Sequence, residues 1–300
     1  MGVITTGSNP KLLWPGVHQI WGAKYEEHQK EYPDLFDVKT SSQAYEEDVE
    51  LTGLGLAPIK KQGAPVYFDD SEQGTVTRYT HAAIALGYII TKENIMDNLY
   101  MSMSARYVAA LAFSFNQTKE NIAANVFNRG FNVAYPGGDA VAMLSASHPT
   151  KNGLQSNILP ISAELSEQSL EDLCIQIMNT KDSRGLNISL MPKSLHVPTA
   201  QAYEAQRILK SQLQNDTANN ALNALKETGA IPKLRVSHYF SDTGAYFIRT
   251  NCPSGMCMFQ RAPIEFTQDN DFDTENDKSK AYERYSVGFT DFRGVFGTGN

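Results

Sequence analysis

Cysteine is scarce in this chain: Cys174, Cys252 and Cys257 are the only three in 300 residues. An odd, sparse set gives no disulfide framework and points to a reducing compartment. Long hydrophobic runs are missing as well. The longest apolar stretch, Ala82 to Ile90, falls well short of the roughly 20 residues that cross a bilayer, so it is expected to be a buried strand and no membrane partner is expected. A basic region followed by an apolar one does not open the chain, so no secretion signal is expected. Positive charge is thin: 26 Lys and Arg against 33 Asp and Glu give a formal charge of −7, with no basic block longer than Lys60-Lys61. Tight nucleic-acid binding needs a basic footprint that displaces phosphate counterions, and this chain has none.

Chemistry-bearing motifs are equally thin. The six histidines form no short-range pair with ligand spacing, and Cys252 and Cys257 are wrongly spaced for a zinc knuckle. The run Asp269-Asn270-Asp271-Phe272-Asp273 starts like a calcium loop. It then has Thr274 where the sharp turn needs glycine and Lys280 where a bidentate glutamate belongs, so it reads as an acidic connector. Gly53-Leu54-Gly55 lacks the third glycine and following helix of a dinucleotide loop. No nucleophile, base and orienting group can be nominated together. The expectation is no catalytic residue, no resident metal and no cofactor.

Aromatic residues are what the chain does have: 14 Tyr, 14 Phe and 2 Trp, ample apolar surface for folding. Residues 1–45 carry Trp14, Trp21, Tyr25, Tyr32 and Phe36 between Pro10, Pro15 and Pro33, and read as an extended arm with one helical piece near 17–30. Rings that an arm cannot bury alone should insert into the body or a neighbouring chain. Residues 46–90 read as a long β-hairpin with a Gly/Pro-rich tip at Ala57 to Pro65, returning through Tyr67 and Phe68. Thr91 is placed to cap a long helix, Ile95, Leu99, Met103, Tyr107, Leu111 and Phe115 recurring every fourth residue. The peptide Thr-Lys-Glu-Asn-Ile recurs at 118–122, suggesting a second cap after a kink near Asn116. Residues 131–161 look loop-like. A mixed α/β region follows, with Ser166 preceding a helix (Leu170, Leu173, Ile177 and Met178 on one face), a strand at Asn187–Met191, a helix capped by Thr199 and carrying Tyr203, Ile208 and Leu209, and further strands at 231–232, 234–240 and 245–249.

The closing block is the most specific. Gln260-Arg261-Ala262-Pro263-Ile264-Glu265-Phe266, Gln268-Asp269-Asn270-Asp271-Phe272 and Ala281 through Gly294 resemble the end of the major head subunit of Mu-like tailed bacteriophages, a branch of the Hong Kong 97-type capsid proteins. Further similar pieces are Ile89-Ile90-Thr91-Lys92-Glu93, Ser147-His148-Pro149-Thr150 with Gly153 and Ser156-Asn157, Pro192 to Pro198, and Glu204-Ala205 with Arg207-Ile208-Leu209. The resemblance implies an α+β Hong Kong 97-like capsid fold. Its parts would be an N-terminal arm (1–45), an extended hairpin loop (46–90), a peripheral domain with a long spine helix (91–161 and 251–300) and an axial α/β domain (162–250).

The implied function is that of a major capsid protein building pentamers and hexamers of an icosahedral shell around double-stranded DNA. Its partners would be itself, a scaffolding protein, a portal and a decoration or cement protein. It would be made in the bacterial host cytoplasm and reside in the virion. A separate scaffolding protein is expected, with no cleaved segment on this chain. Candidate inter-subunit contacts are Trp14, Trp21, Leu54, Leu56, Lys60, Lys61, Tyr67, Phe68 and Arg78. The rival readings are an encapsulin-like nanocompartment, and a soluble hydrolase using His148 or His238.

Overall fold

The computed structural model describes residues 14–97, 100–214, 221–271, 273 and 275–299. Helices α1 (Trp14–Glu27) and α2 (Tyr32–Leu35) lead into β1 (Asp37–Thr40), β2 (Tyr45–Leu51), β3 (Gln73–Thr80) and β4 (Ala82–Ile90). A short helix α3 (Lys92–Met96) and the spine helix α4 (Tyr100–Asn128) precede the small hairpin β5 (His148–Thr150) and β6 (Gly153–Gln155). Then come α5 (Glu167–Met178), β7 (Pro192–Pro198), α6 (Ala202–Lys210), α7 (Ala224–Thr228), β8 (Leu234–Ser237) and β9 (Tyr246–Thr250). The long strands β10 (Met256–Asn270) and β11 (Asp277–Phe289) follow, and then β12 (Val295–Thr298).

Period-two alternation builds the first sheet. On β11, Asp277, Ser279, Ala281, Glu283 and Tyr285 are buried while Lys278 and Lys280 face water. The strand order is β1-β10-β11-β4, with β1 parallel to β10 and the rest antiparallel. Helix α4 lays Val108, Leu111, Ala112 and Phe115 toward this sheet, and its later residues Ala123, Ala124 and Phe127 join Met256, Met258 and Tyr285. The second sheet has the order β12-β9-β7-β8. Its core combines Leu170, Leu173 and Ile177 of α5, Ala205 and Ile208 of α6, and Leu195, Val197, Tyr246 and Ile248 of the strands. Strand β9 is buried throughout, as expected of an inner strand covered on both faces.

Ser166 caps α5: its hydroxyl accepts from the Ser169 backbone N–H, while the Ser169 side chain answers the Ser166 N–H. Ser166→Ala is expected to cost about 1 kcal/mol, read as a thermal midpoint lowered by roughly 2–4 °C.

Several expectations need correction. The arm forms two helices, Trp14–Glu27 and Tyr32–Leu35, because Pro15 and Pro33 lie in their first turns, where a missing N–H costs nothing. Trp21 is buried in its own chain, stacked on Phe266 at 5.0 Å, so its ring is unavailable to a neighbour. The Trp14 side chain, like those of Ile95, Leu99 and Met103, lies outside what is described. Helix α4 runs unbroken through Asn116; Thr118 does not cap it but donates its hydroxyl to the Ser114 carbonyl one turn back. At 29 residues it is about 44 Å long, shorter than a run from residue 91 would be. Strand β4 is an edge strand and largely exposed, since Ala83, Ala85 and Gly87 on its outer side hide the alternation. The Asn187–Met191 strand moves to Pro192–Pro198. Met178 faces solvent instead of the core.

Between α1, α2, α4 and β11 lies a buried charge cluster. Lys119 is 2% exposed and its Nζ stands 2.5 Å from Oε2 of Glu283, which is fully buried. The rings of Tyr25, Tyr32 and Tyr285 surround the ammonium at 5.9, 5.6 and 5.1 Å. Next to it, Glu120 accepts the backbone N–H groups of Glu31 and Tyr32, each at 2.9 Å. The segment after α1 then crosses to the second sheet through Glu31–His238, Asp34–Arg235 and Asp37–Arg249.

Candidate assembly interface

Strands β2 and β3 pair from Tyr45↔Thr80 to Val49↔Val76, and the register slips before Leu51↔Gln73. Beyond that point residues 52–72 form no ladder. Gly53, Gly55, Pro58, Gly63 and Pro65 interrupt strand formation there, so Tyr67 and Phe68 lie on an irregular loop instead of the expected strand. Gly63 takes φ +81° at the tip, where the Ala64 N–H closes a turn onto the Lys61 carbonyl.

The loop exposes a run of apolar side chains: Leu54, Leu56, Ile59, Val66, Tyr67 and Phe68, with Ile59 98% and Phe68 89% exposed. Six large exposed apolar side chains on one loop make it a candidate interaction surface. Of the candidate contacts, Leu54, Leu56, Lys60, Lys61, Tyr67 and Phe68 are brought together here, both lysines being exposed. Arg78 sits on β3 and is engaged within the hairpin, its guanidinium 3.7 Å over the Tyr45 ring and 3.3 Å from the Glu47 carboxylate.

The base of the loop is held by residues that sequence reasoning did not single out as contacts. Arg293, 3% exposed, donates to Asp291, Glu50, Ser183 and the Lys181 carbonyl, and Ser183 donates to Glu50. Thr52 and Glu72 bridge the two legs, and Lys151 pairs with Glu72 at 2.7 Å. Arg184 reaches Asp69 at 2.5 Å and the Gly53 carbonyl at 3.4 Å, while Asp69 also accepts from the Gly55 N–H. The Arg184 guanidinium, helped by that N–H, holds the Asp69 carboxyl down at about 2. Arg184 and Asp69 lie 115 residues apart in sequence, and Arg293 and Glu50 lie 243 apart. The only local hint is the turn-forming peptide Asp182-Ser183-Arg184-Gly185.

Beside the hairpin, between β3, α4 and β11, runs a groove of about 690 Å³ lined by Val76, Ile122, Val126, Tyr135, Met143 and Phe289, among others.

The candidate bases are occupied structurally. His148 is fully buried, with Nδ1 2.6 Å from Asp139, Nε2 3.1 Å from Asn157 Oδ1, and its ring stacked on Phe292 at 4.1 Å. Both ring nitrogens are therefore bonded, and neither faces a nucleophile. His238 Nδ1 is bonded to Glu31. The three thiols are buried; burial pushes Cys174 up to about 11 and raises Cys252 and Cys257 as well, so none is a reactive thiolate. Among the described residues no helix is long and apolar enough to cross a membrane.

No curated protein matches this sequence. A family model described as phage capsid protein matches residues 74–297, well over half of the chain. Solved structures share the fold at low identity. One from Mycobacterium phage Che8 superposes with a TM-score of 0.51 at 14% identity over 90% of each chain. The capsid of bacteriophage JBD30 decorated with minor capsid protein trimers gives 0.54 at 13% identity, over 71% of this chain and 92% of that one. A virus-like particle from Pyrococcus furiosus gives 0.52 at 8% identity, over 94% and 97%. This chain belongs to the phage capsid protein family, as a major capsid protein with the Hong Kong 97-like fold.

Proposed function

We propose that this chain joins copies of itself into the pentamers and hexamers of an icosahedral tailed-phage head that encloses double-stranded DNA. One observation carries the reading: the 52–72 loop presents six large apolar side chains that its own body does not cover. Burying such a side chain contributes about 1.5–3 kcal/mol, and shell symmetry repeats the gain at every subunit. A neighbour's groove beside β3, lined by apolar side chains together with Arg78, Asn125 and Arg129, offers a seat. In this reading residues 46–90 are the extended loop, 91–161 with 251–300 the peripheral domain, and 162–250 the axial domain.

A separate scaffolding protein shields the loop before closure, and a portal occupies one vertex. A decoration protein is proposed by analogy with the JBD30 capsid and its minor capsid protein trimers. Assembly takes place in the host cytoplasm and the product is the virion shell. The chain performs no catalysis of its own.

Electron microscopy of the purified protein, produced with its scaffold, is expected to show closed shells of one diameter. A permanently solitary molecule in solution scattering, with the loop tucked against its own body, overturns the reading. The fold shared with the Pyrococcus furiosus particle supports a second reading, a shell around protein cargo. Nuclease-protected DNA inside native particles decides for a genome container.

A further inference from the structure

We infer that Arg184 is a positioning residue that sets the direction in which the 52–72 loop leaves the body; the inference rests on that loop being the assembly element. Arg184 grips both legs at once, the outgoing one through the Gly53 carbonyl and the returning one through Asp69, which itself bonds the Gly55 N–H. The carboxylate and guanidinium are only 24% and 19% exposed, so water screens the pair less than it would an open surface pair.

The turn carrying Arg184 is itself rigid. Asp182 Oδ1 accepts the N–H groups of Arg184 and Leu186, and Gly185 has φ +91°. The Asn152 N–H donates to the Ser183 carbonyl, and a Cβ built on Gly185 would stand 2.1 Å from the Asn152 amide nitrogen. Two independent contacts brace the same base, Lys151–Glu72 from the β5–β6 turn and the buried Glu50–Arg293–Asp291 group. These elements form one bracket made from distant parts of the chain.

Leverage makes the bracket consequential. From Gly53 to the tip at Lys61 an extended leg reaches at most about 29 Å, so a 10° change at the base displaces the tip by roughly 5 Å. That displacement exceeds the ≈ 4 Å range of apolar contact. A fixed base thus decides where the apolar tip lands on a neighbour.

The test is a double-mutant cycle of Arg184→Ala, Asp69→Ala and the pair, with Arg184→Lys as the conservative variant. Hydrogen exchange of the purified chain, in whatever assembly state it adopts, is expected to quicken about tenfold at the bonded base amides of Thr52, Gly55 and Glu72 in each single variant. The double variant is expected to be no faster than the singles, α5 and β7 should be unchanged, and Arg184→Lys should keep part of the protection. Electron microscopy of the same variants should show loss of uniform shell diameter without a lowered thermal midpoint. Unchanged exchange in the single variants, or losses that multiply in the double, overturns the bracket whether or not shells form. Absence of shells from the unaltered chain overturns the assembly reading and leaves the exchange result to judge the bracket separately.

Discussion

Lys119→Met is expected to destabilise the chain by about 3–5 kcal/mol. Lys119 and Glu283 are 2% and 0% exposed, so removing the ammonium leaves a carboxylate buried without its counter-ion. The long apolar stem of methionine fills most of the space, and the three tyrosine rings around Nζ still pack. The loss is therefore electrostatic more than steric. The paired change Lys119→Met with Glu283→Leu removes both charges, and it is expected to recover most or all of the loss. Denaturant midpoints at one fixed protein concentration measure both effects. A single-variant loss below about 1 kcal/mol, the size expected for an exposed pair, refutes the buried ion pair.

Glu120 makes stability fall as pH rises. Burial is the largest effect on its carboxyl, and the neighbouring Glu31 charge adds to it. The Glu31 and Tyr32 N–H groups and Lys119 oppose them, and the balance lifts the group from 4.5 to about 7. A folded-state value above the unfolded one means that the folded chain holds the proton more tightly. Stability from this group is complete below about pH 4.5 and is lost as pH climbs through about 7, an effect of about 3 kcal/mol. Burial raises Glu283 as well, with the same sign. The other groups facing this cluster are Tyr25, Tyr32, Tyr239 and Tyr285, all raised by burial and uncharged in this range. Glu120→Gln cannot ionise but turns an N–H₂ toward one backbone donor. It should therefore be less stable than the parent at pH 4.5 and more stable at pH 8. Parallel pH profiles for the two proteins refute the assignment.

The sequence displays what is local. Ser166 three residues before Ser169, with Leu170, Leu173 and Ile177 at helical spacing, gives α5 outright. The alternation at 277–285 gives β11, and the terminal block carries the family resemblance. Proline misleads where its position is unknown: Pro15 and Pro33 look like breakers until the helices they start are seen. Strand β4 looks buried because the small residues Ala83, Ala85 and Gly87 on its outer side carry no polar mark of exposure. The loop's exposed apolar side chains are legible as composition, since Leu54, Ile59 and Phe68 sit among turn formers with no periodic partner. The bracket is not legible, because Arg184 meets Asp69 across 115 residues, and neither residue differs locally from an ordinary surface charge.

Strand β1 pairs in parallel with β10, Asp37 lying opposite Cys257. At roughly 5–20 residues per second on the ribosome, the early strand waits about 10–45 s for its partner to be made. Throughout that delay the first sheet lacks its centre, and the floor beneath α1 and α4 does not exist. Nascent subunits are therefore sticky for much of their synthesis, and a polysome crowded with them invites wrong partners. Yield in a foreign host should then be limited by the supply of chaperones more than by transcription.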